Sequence, residues 1–490
     1  MKTSLKKNFI YNIAYQILVL ILPLITAPYL SRVIGGDSIG VYSYTQAFAS
    51  YFVLLSLLGV ENYGNREIAR VRDDDEKKRR TFWEVFSIQF VLTIIMTTSF
   101  VAYVLIASPE YKTIYLLQLF YVVSSAFNIN WYFWGVEKFK LTVIRNTFIK
   151  LLTTVSIFVF VKSQNDLWLY TLIISLGMLL SNIVVWPFLF KEVTYTAITW
   201  QGIRRHIKPD LVLFIPVIAV SLYNVMDKIM LGYFSTYSEV GYYTYAEKIV
   251  QVPVTVIIAL GTVMMPHVTN LIAKGNEKEC RELFDKAMMF VLFMGFAFTF
   301  GMANLAPVFS DWYYGSDFSR CGLFMMILSP VIIFKSWANL VRTQYIIPRG
   351  YDIIYILSVI MGAVSNLILN ALLIPKYQGI GAIIGTIIAE FVVCFIQTWK
   401  TRDGIDFIPY LKEGMAFACI GVIMYVIMQC VRAQLPPSQL FLTLLICFFI
   451  GTVVYCLLSV FYLARIKKDT VILSEIQRKI RRVVKFRKGN

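Results

Sequence analysis

The sequence predicts an all-α polytopic membrane protein with about fourteen transmembrane helices. Three observations carry that prediction: 58% of the 490 residues are hydrophobic, only 15% are charged, and the apolar residues fall in long uninterrupted runs. Soluble domains average about 45–50% apolar and about 25% charged residues. A mean hydropathy of +0.67 therefore excludes both a soluble globular chain and a disordered one. At ~20 apolar residues per spanning helix, this content suits roughly 12–15 spans.

Breaks at charged residues, glycines and prolines divide the chain into spans 9–33, 39–60, 83–106, 114–135, 146–162, 167–190, 211–233, 240–264, 287–309, 321–346, 352–374, 379–399, 414–431 and 439–463. Met1 to Lys7 followed by an apolar run superficially resembles a signal peptide. The run is too long for one and leads into further spans, so it reads as an uncleaved first helix. After span 2 comes the densest charge run between spans, REIARVRDDDEKKRR at 66–80. Span 4 ends in the aromatic cluster Asn130-Trp131-Tyr132-Phe133-Trp134, which suits an interfacial belt better than a sugar-stacking surface. Pro23, Pro28, Pro216, Pro253 and Pro330 lie inside spans and predict kinks. The tail from Arg465 carries ten basic and two acidic residues. Its Leu473, Ile476, Ile480 and Val483 recur at helical spacing, so it reads either as an amphipathic helix on an anionic leaflet or as a solvated anchor.

The charge surplus sets orientation and does not point to nucleic acid. Lys and Arg total 46 against 29 Asp and Glu, a net of +17. With the N-terminus in the cytoplasm, the alternate loops on that side hold 35 Lys and Arg, and the external ones hold six. Positive residues accumulate on the cytoplasmic side, and a missed helix would invert every later loop. Both termini are predicted to be cytoplasmic. Seven cysteines form no CxxC pair and most lie in apolar runs, so neither a disulfide framework nor a metal site follows.

An internal repeat organises the spans. IGVYSYTQ (39–46) matches VGYYTYAE (240–247), placing Gly40, Tyr42 and Tyr44 opposite Gly241, Tyr243 and Tyr245 at an offset of 201. Leu58-Gly59 and Leu260-Gly261 continue the match, as do Ile68-Ala69 and Ile272-Ala273. Six spans separate the copies, so they share one orientation and form a parallel repeat. The predicted organisation is an N-lobe at 1–200, a C-lobe at 201–405, two extra helices at 406–464 and the basic tail at 465–490. Two like bundles around a central cavity suit alternating access.

Ionisable residues inside spans cost about 2.5–3.5 kcal/mol on insertion scales and so normally face a bundle interior. They are Lys150, Asp227, Lys228, Glu247, Lys248, Lys335, Arg342 and Glu390, with Glu61 at the end of span 2. Ser221, Asn224 and Lys228 share one face of span 7; Lys335, Asn339 and Arg342 share one of span 10. Tyr243, Glu247 and Gln251 stripe span 8, and Asn366 with Asn370 stripe span 11. Asp227 sits about 100° around the helix from Lys228, so the two have different surroundings. Structural ion pairs among Asp227, Lys228, Glu247 and Lys248 are the competing reading, as is a Lys150 that reaches a surface.

His206 and His267 lack metal-ligand spacing, and no phosphate loop, GxSxG or HExxH is present. No cytoplasmic loop is long enough for a nucleotide-binding domain. The chemistry to expect is transport, with no cofactor.

LPLITAPYLSRVIGGDSIGVYSYTQAF (20–48), LLGVENYGNREIAR (57–70), NVMDKIMLGYFSTYSEVGYYTYAEKI (224–249) and GIGAIIGTIIAE (379–390) together resemble bacterial lipid-linked oligosaccharide flippases of the Wzx type. That family shares a superfamily with multidrug extruders and the peptidoglycan-precursor flippase. The resemblance implies two six-helix lobes plus two helices, opening alternately to each side of the cytoplasmic membrane. It implies an undecaprenyl-pyrophosphate-linked oligosaccharide as cargo, bound for capsule or exopolysaccharide, with membrane lipids, a polysaccharide polymerase and chain-length machinery as partners. Moving an ion into a low-dielectric core costs on the order of 20 kcal/mol, which a cationic cavity lowers. Lys228, Lys248, Lys335, Arg342 and Lys150, with Asn224 and Asn339, are the candidate cargo residues. Asp227, Glu247, Glu390 and Glu61 are candidate H⁺ or Na⁺ sites. A cation-coupled multidrug antiporter is the alternative, disfavoured by the cationic excess. A membrane glycan polymerase is a further one, disfavoured by the short external loops.

Overall fold

A computed structural model of the chain describes residues 18, 19, 21–107 and 109–466, without the side chains of Pro216, Tyr223, Asn224, Arg465 and Ile466. The charged N-terminal stretch and the amphipathic tail predicted at 465–490 lie outside the described residues, apart from the backbone of Arg465 and Ile466. Among the described residues every regular element is a helix.

Helix α1 is Ile21–Val33, followed by α2 (Gly35–Leu57), α3 (Val60–Val71), α4 (Asp75–Ala107), α5 (Lys112–Ser124), α6 (Asn130–Gly135) and α7 (Phe139–Phe160). Then come α8 (Leu167–Ile183), α9 (Trp186–Leu189), α10 (Trp200–Phe234), α11 (Tyr237–Ala273) and α12 (Glu277–Tyr313). The remaining helices are α13 (Ser319–Leu328), α14 (Val331–Val341), α15 (Asp352–Thr401), α16 (Ile408–Ala433) and α17 (Leu440–Phe461).

Among the described residues, nine helices are long and apolar enough to cross a membrane, rising to eleven if two bent pairs each count as one span. The chain is a multi-pass membrane protein. The gap from the predicted fourteen has three sources. Span 1 is described only from its later part, as α1. The span-4 stretch breaks into α5, a 3-10 turn and α6. Spans 11 and 12 run together as α15, which is non-helical only at Gln378 (φ 51°, ψ −129°). That break follows Pro375, which withholds a backbone donor from its helix. It is held by Glu239, whose carboxylate accepts the Gly379 N–H at 2.8 Å and pairs with Arg320. One of the bent pairs turns by 45° where Pro330 precedes α14.

The 66–80 charge run is two helix ends and a turn. Residues 66–71 finish α3, and Asp74 starts α4 by accepting the Lys77 N–H at 3.0 Å. That bond and the adjacent Lys77 ammonium hold the Asp74 carboxyl below the usual carboxylate range.

Side chains are sorted as a lipid solvent requires. Helix α4 buries Glu84, Gln89 and Thr93 while exposing Phe90, Val91, Ile94 and Ile95. Helix α17 buries Thr443, Cys447, Gly451, Tyr455 and Ser459, one per turn, and exposes Phe448, Phe449 and Leu457. Lipid tails are as apolar as these side chains, so small and polar residues make the helix contacts. The aromatic cluster of span 4 departs from the expected belt. Trp131, Tyr132 and Phe133 are at most 1% exposed and pack with Phe82, Val85 and Ile68, which leaves no surface for headgroups or sugars.

The chain divides into two compact units. Unit 1 comprises Met1–Lys248, Tyr313–Phe324 and Ile356–Val392; unit 2 comprises Ile249–Trp312, Met325–Tyr355 and Val393–Asn490. Within unit 1 the two copies of the sequence repeat touch. A Cβ on Gly40 would lie 1.6 Å from the Tyr237 carbonyl oxygen, and one on Gly241 would lie 2.3 Å from that of Gly36. Position 36 plus 201 is 237, and 40 plus 201 is 241, so these are one contact made twice with the partners exchanged. Only a residue without a side chain permits backbones to approach this closely.

Candidate functional site

Unit 1 holds a cavity of about 750 Å³ lined by residues from α1, α2, α3, α5, α6, α7, α8, α10 and α11. Helix α7 contributes one face: Asn146, Lys150, Thr153 and Ile157 recur every three or four residues and all line it. Lys248 of α11 also lines it, its ammonium 4.8 Å from the Tyr245 ring centroid. Glu61, from the first turn of α3, is the carboxylate in the lining.

A hydrogen-bonded chain runs along one wall. Asn128 Nδ2 donates to Glu61 Oε1 (2.9 Å), and Asn130 Nδ2 donates to Asn128 Oδ1 (2.8 Å). Arg145 Nη2 donates to Asn130 Oδ1 (2.9 Å) and to Asn146 Oδ1 (2.7 Å). Ser181 Oγ donates to Asn146 Oδ1 at 2.9 Å. Arg145 is only 8% exposed and stands behind the wall, fixing two amides through their oxygens.

Asp227 forms a second polar centre on α10. Its carboxylate is 2% exposed and accepts from Tyr243 Oη (2.6 Å), Thr386 Oγ1 (2.8 Å) and Asn370 Nδ2 (2.6 Å). Asn370 Nδ2 also reaches Asn366 Oδ1 at 3.2 Å. Tyr243 of the span 8 stripe and Asn370 of the span 11 stripe thus converge on a carboxylate that lies off the span 7 stripe, and Thr386 of α15 joins them. Asn370 Oδ1 is buried without a hydrogen-bond partner among the described residues. Glu390 is buried one turn beyond Thr386 on α15.

Of the remaining candidates, Lys228 pairs with Glu247 at 2.9 Å, the structural alternative weighed for them above. The side chain of Asn224 lies outside the described residues. Lys335, Asn339 and Arg342 belong to unit 2. There Arg342 Nη1 donates to Tyr355 Oη at 3.3 Å with its guanidinium over that ring, and Asn339 is buried on α14. The unit 1 cavity therefore brings together Lys150, Lys248 and Glu61 from the predicted set. Spacing within one helix does not connect Asn128, Asn130, Arg145 and Asn146, because they come from either side of the turn between spans 4 and 5. There Arg145 counted only as an orientation charge. Unit 2 has an apolar groove of about 540 Å³ between α12, α16 and α17, lined by Phe293, Met302, Met424, Met428 and Phe448 among others.

The family model for polysaccharide biosynthesis proteins matches residues 5–272, more than half of the chain. The chain belongs to the polysaccharide biosynthesis protein family. A relative named "Putative O-antigen transporter" in Escherichia coli (strain K12) is 24% identical over 82% of this chain and 98% of its own length. "Lipid II flippase MurJ" of Bacillus subtilis (strain 168) is 28% identical over 38% of this chain and 35% of its own. Among solved structures, the lipid II flippase MurJ in an inward closed conformation superposes with a TM-score of 0.74 at 16% identity, covering 94% of this chain and 99% of that one. An inward-facing MATE family multidrug transporter gives a TM-score of 0.59 at 13% identity, covering 78% and 95%. At these identities the likeness is one of fold. The cavity and the Asp227 centre are set in that helical fold.

Proposed function

We propose that this chain is a flippase, not an enzyme, and that it moves lipid-linked oligosaccharide units across a membrane by alternating access. The observation that carries the reading is a cavity holding Lys150 and Lys248 in a member of the polysaccharide biosynthesis protein family. A pyrophosphate is doubly anionic, and desolvating it without counter-charge is prohibitive. Two ammonium groups in a polar pocket lower that barrier. The relatives named for O-antigen and lipid II support the same class of cargo.

In this reading the cargo is a polyprenyl-pyrophosphate oligosaccharide and the membrane is the bacterial cytoplasmic membrane, with both termini inside. Lys228, Lys335, Arg342, Asn224 and Asn339 are further cargo residues in the same proposal, and a downstream polymerase with its chain-length machinery receives the product. Asp227 is the proposed site for a coupling ion. Carboxylate, amide and hydroxyl oxygens are the donors a hard cation prefers, and a proton is the competing occupant. Glu61, Glu247 and Glu390 are secondary candidates. A multidrug antiporter of this fold would favour an acidic cavity, and two lysines against one glutamate argue the other way.

The test is to delete the gene and quantify lipid-linked glycans on each face of the cytoplasmic membrane. Intact units should accumulate on the inner face while surface polymer is lost. Units reaching the outer face at the normal rate would refute the flippase reading.

A further inference from the structure

Residues 190–199 join α9 to α10 without a helix, and they are pinned to the start of α4. Trp83 Nε1 donates to the Thr194 carbonyl at 3.1 Å, and Arg79 Nη1 donates to Thr194 Oγ1 at 3.2 Å. The Tyr195 ring meets the edge of Trp83 at 5.4 Å between centroids.

An aromatic ladder starts at this junction. From Trp83 the rings continue to Phe86 (5.7 Å), and from Phe86 to Trp186 (5.1 Å) and to Phe90 (5.7 Å). Phe190 extends it from Trp186 at 5.6 Å. Trp83, Phe86 and Phe90 recur at i, i+3 and i+7, so the ladder descends about 10 Å along α4. Both indole N–H groups are spent on carbonyls, that of Trp83 on Thr194 and that of Trp186 on Phe127 at 3.1 Å. What remains on the surface is apolar ring: Tyr195, Phe190 and Phe90 are 74%, 56% and 43% exposed. Helix α4 and the stretch Gln164–Leu189, which ends in α9, are both long and apolar enough to cross a membrane, so lipid chains are the solvent for these rings.

The head of the ladder carries uncompensated positive charge. Lys77, Lys78, Lys138 and Arg205 each pair with a carboxylate. Arg79, Arg80 and Lys191 form no ion pair among the described residues, and Arg79 Nε is buried without a hydrogen-bond partner there. Arg80 and Lys191 are exposed, and the Lys191 ammonium lies 5.7 Å from the Phe188 ring centroid. An excess of basic residues on one side of the membrane accounts for their sign. It does not account for cations left unpaired where an aromatic ladder begins.

We propose that this junction binds an anionic phospholipid of the surrounding bilayer: Arg79, Arg80 and Lys191 hold the phosphodiester, and an acyl chain lies along Trp83, Phe86, Trp186 and Phe90. Basic sites between membrane helices select anionic headgroups, each Lys or Arg contributing about fivefold in affinity. None of these residues lines the unit 1 cavity, so the site is separate from the one proposed for cargo. A bound lipid neutralises the three cations and clamps residues 190–199 against α4.

The test uses the full chain in phosphatidylcholine bilayers and reads quenching of its tryptophan fluorescence by phospholipids with brominated acyl chains. Brominated phosphatidylglycerol should give a quenching phase that saturates at a mole fraction at least about tenfold lower than brominated phosphatidylcholine requires. Trp83→Phe/Trp186→Phe should remove that phase. Arg80→Gln/Lys191→Gln changes two exposed side chains and keeps both reporters; it should reduce the preference at least about fivefold and leave the phosphatidylcholine curve where it was. Identical curves for the two lipids, a phase that survives the tryptophan replacements, or an undiminished preference in the charge variant would each overturn the site. So would displacement by unbrominated polyprenyl diphosphate at a lower concentration than by unbrominated phosphatidylglycerol, which would give these residues to the cargo.

Discussion

Ser238 donates a hydrogen bond to Asp37 across 3.2 Å, and the two residues occupy the same position in the two copies of the repeat, 201 residues apart. A contact between equivalent positions is what a local two-fold axis produces. The reciprocal approach of Gly40 to Tyr237 and of Gly241 to Gly36 surrounds the same axis. In a transporter of proposed alternating access, this junction at the predicted external end must part once per cycle.

Cysteines at 37 and 238 should therefore cross-link and stop transport, and reduction should restore it. The check is export by the Asp37→Cys/Ser238→Cys variant, made in a background free of other cysteines, before and after reductant. Full transport by the cross-linked protein would show that the junction stays closed throughout.

Gly40→Ala should destabilise the protein by about 1–3 kcal/mol, as overpacking does, because its methyl group would overlap the Tyr237 carbonyl. Gly241→Ala should cost less, since its clash is milder. Thermal unfolding of both variants in detergent measures the order. Equal melting temperatures would mean that the helices separate freely at this point.

Gly202→Ala probes a different contact. Its Cβ would lie 1.9 Å from Glu84 Oε1, while Glu84 Oε2 accepts from Arg205 at 2.6 Å and lies 3.0 Å from His206 Nε2. Tyr63 Oη meets the other ring nitrogen of His206 at 2.6 Å. This buried cluster ties the start of α10 to α3 and α4. Displacing the carboxylate should lower stability by about 1–3 kcal/mol, the cost of leaving a buried polar group unsatisfied, since the exposed Arg205 charge is screened by solvent. A melting temperature within a degree of wild type would exclude that role.

Asp227→Asn should abolish any dependence of flipping on an imposed Na⁺ or proton gradient while leaving cargo binding intact. The measurement is transport in proteoliposomes under each gradient separately, which also identifies the ion. Retained coupling would move the ion site elsewhere, with Glu390 the next carboxylate to test.

Lys150→Ala and Lys248→Ala should each reduce binding of a bare polyprenyl diphosphate at least about tenfold, the loss expected for a charge-assisted hydrogen bond. Lys228→Ala should act mainly through its partner Glu247, so the Lys228→Ala/Glu247→Ala double variant should recover part of any stability lost. Additive losses would show that the two residues act separately.

Composition and periodicity were enough to establish a helical, multi-pass membrane protein. Bilayer thickness fixes the length of an apolar run, and backbone groups in lipid leave helices as the economical solution. The repeat was legible for a related reason: Gly40 and Gly241 have no substitute where backbones touch, so that pattern marks both copies. Stripes on spans 8 and 11 pointed to Tyr243 and Asn370, and helical spacing set Asp227 apart from the Lys228 face of span 7. Which faces meet was decided by tertiary structure. Packing buried Trp131, Tyr132 and Phe133 instead of leaving them at an interface. It also paired Lys228 with Glu247, leaving Lys248 to line the cavity, although the two lysines look alike in sequence. Glu61, the amides of Asn128 and Asn130, and Arg145 with Asn146 come from three separate stretches of chain and form a wall only when α3, α6 and α7 pack together. Hydrogen bonds depend on distances of tenths of an ångström, and one-dimensional spacing carries no such information beyond a single helix.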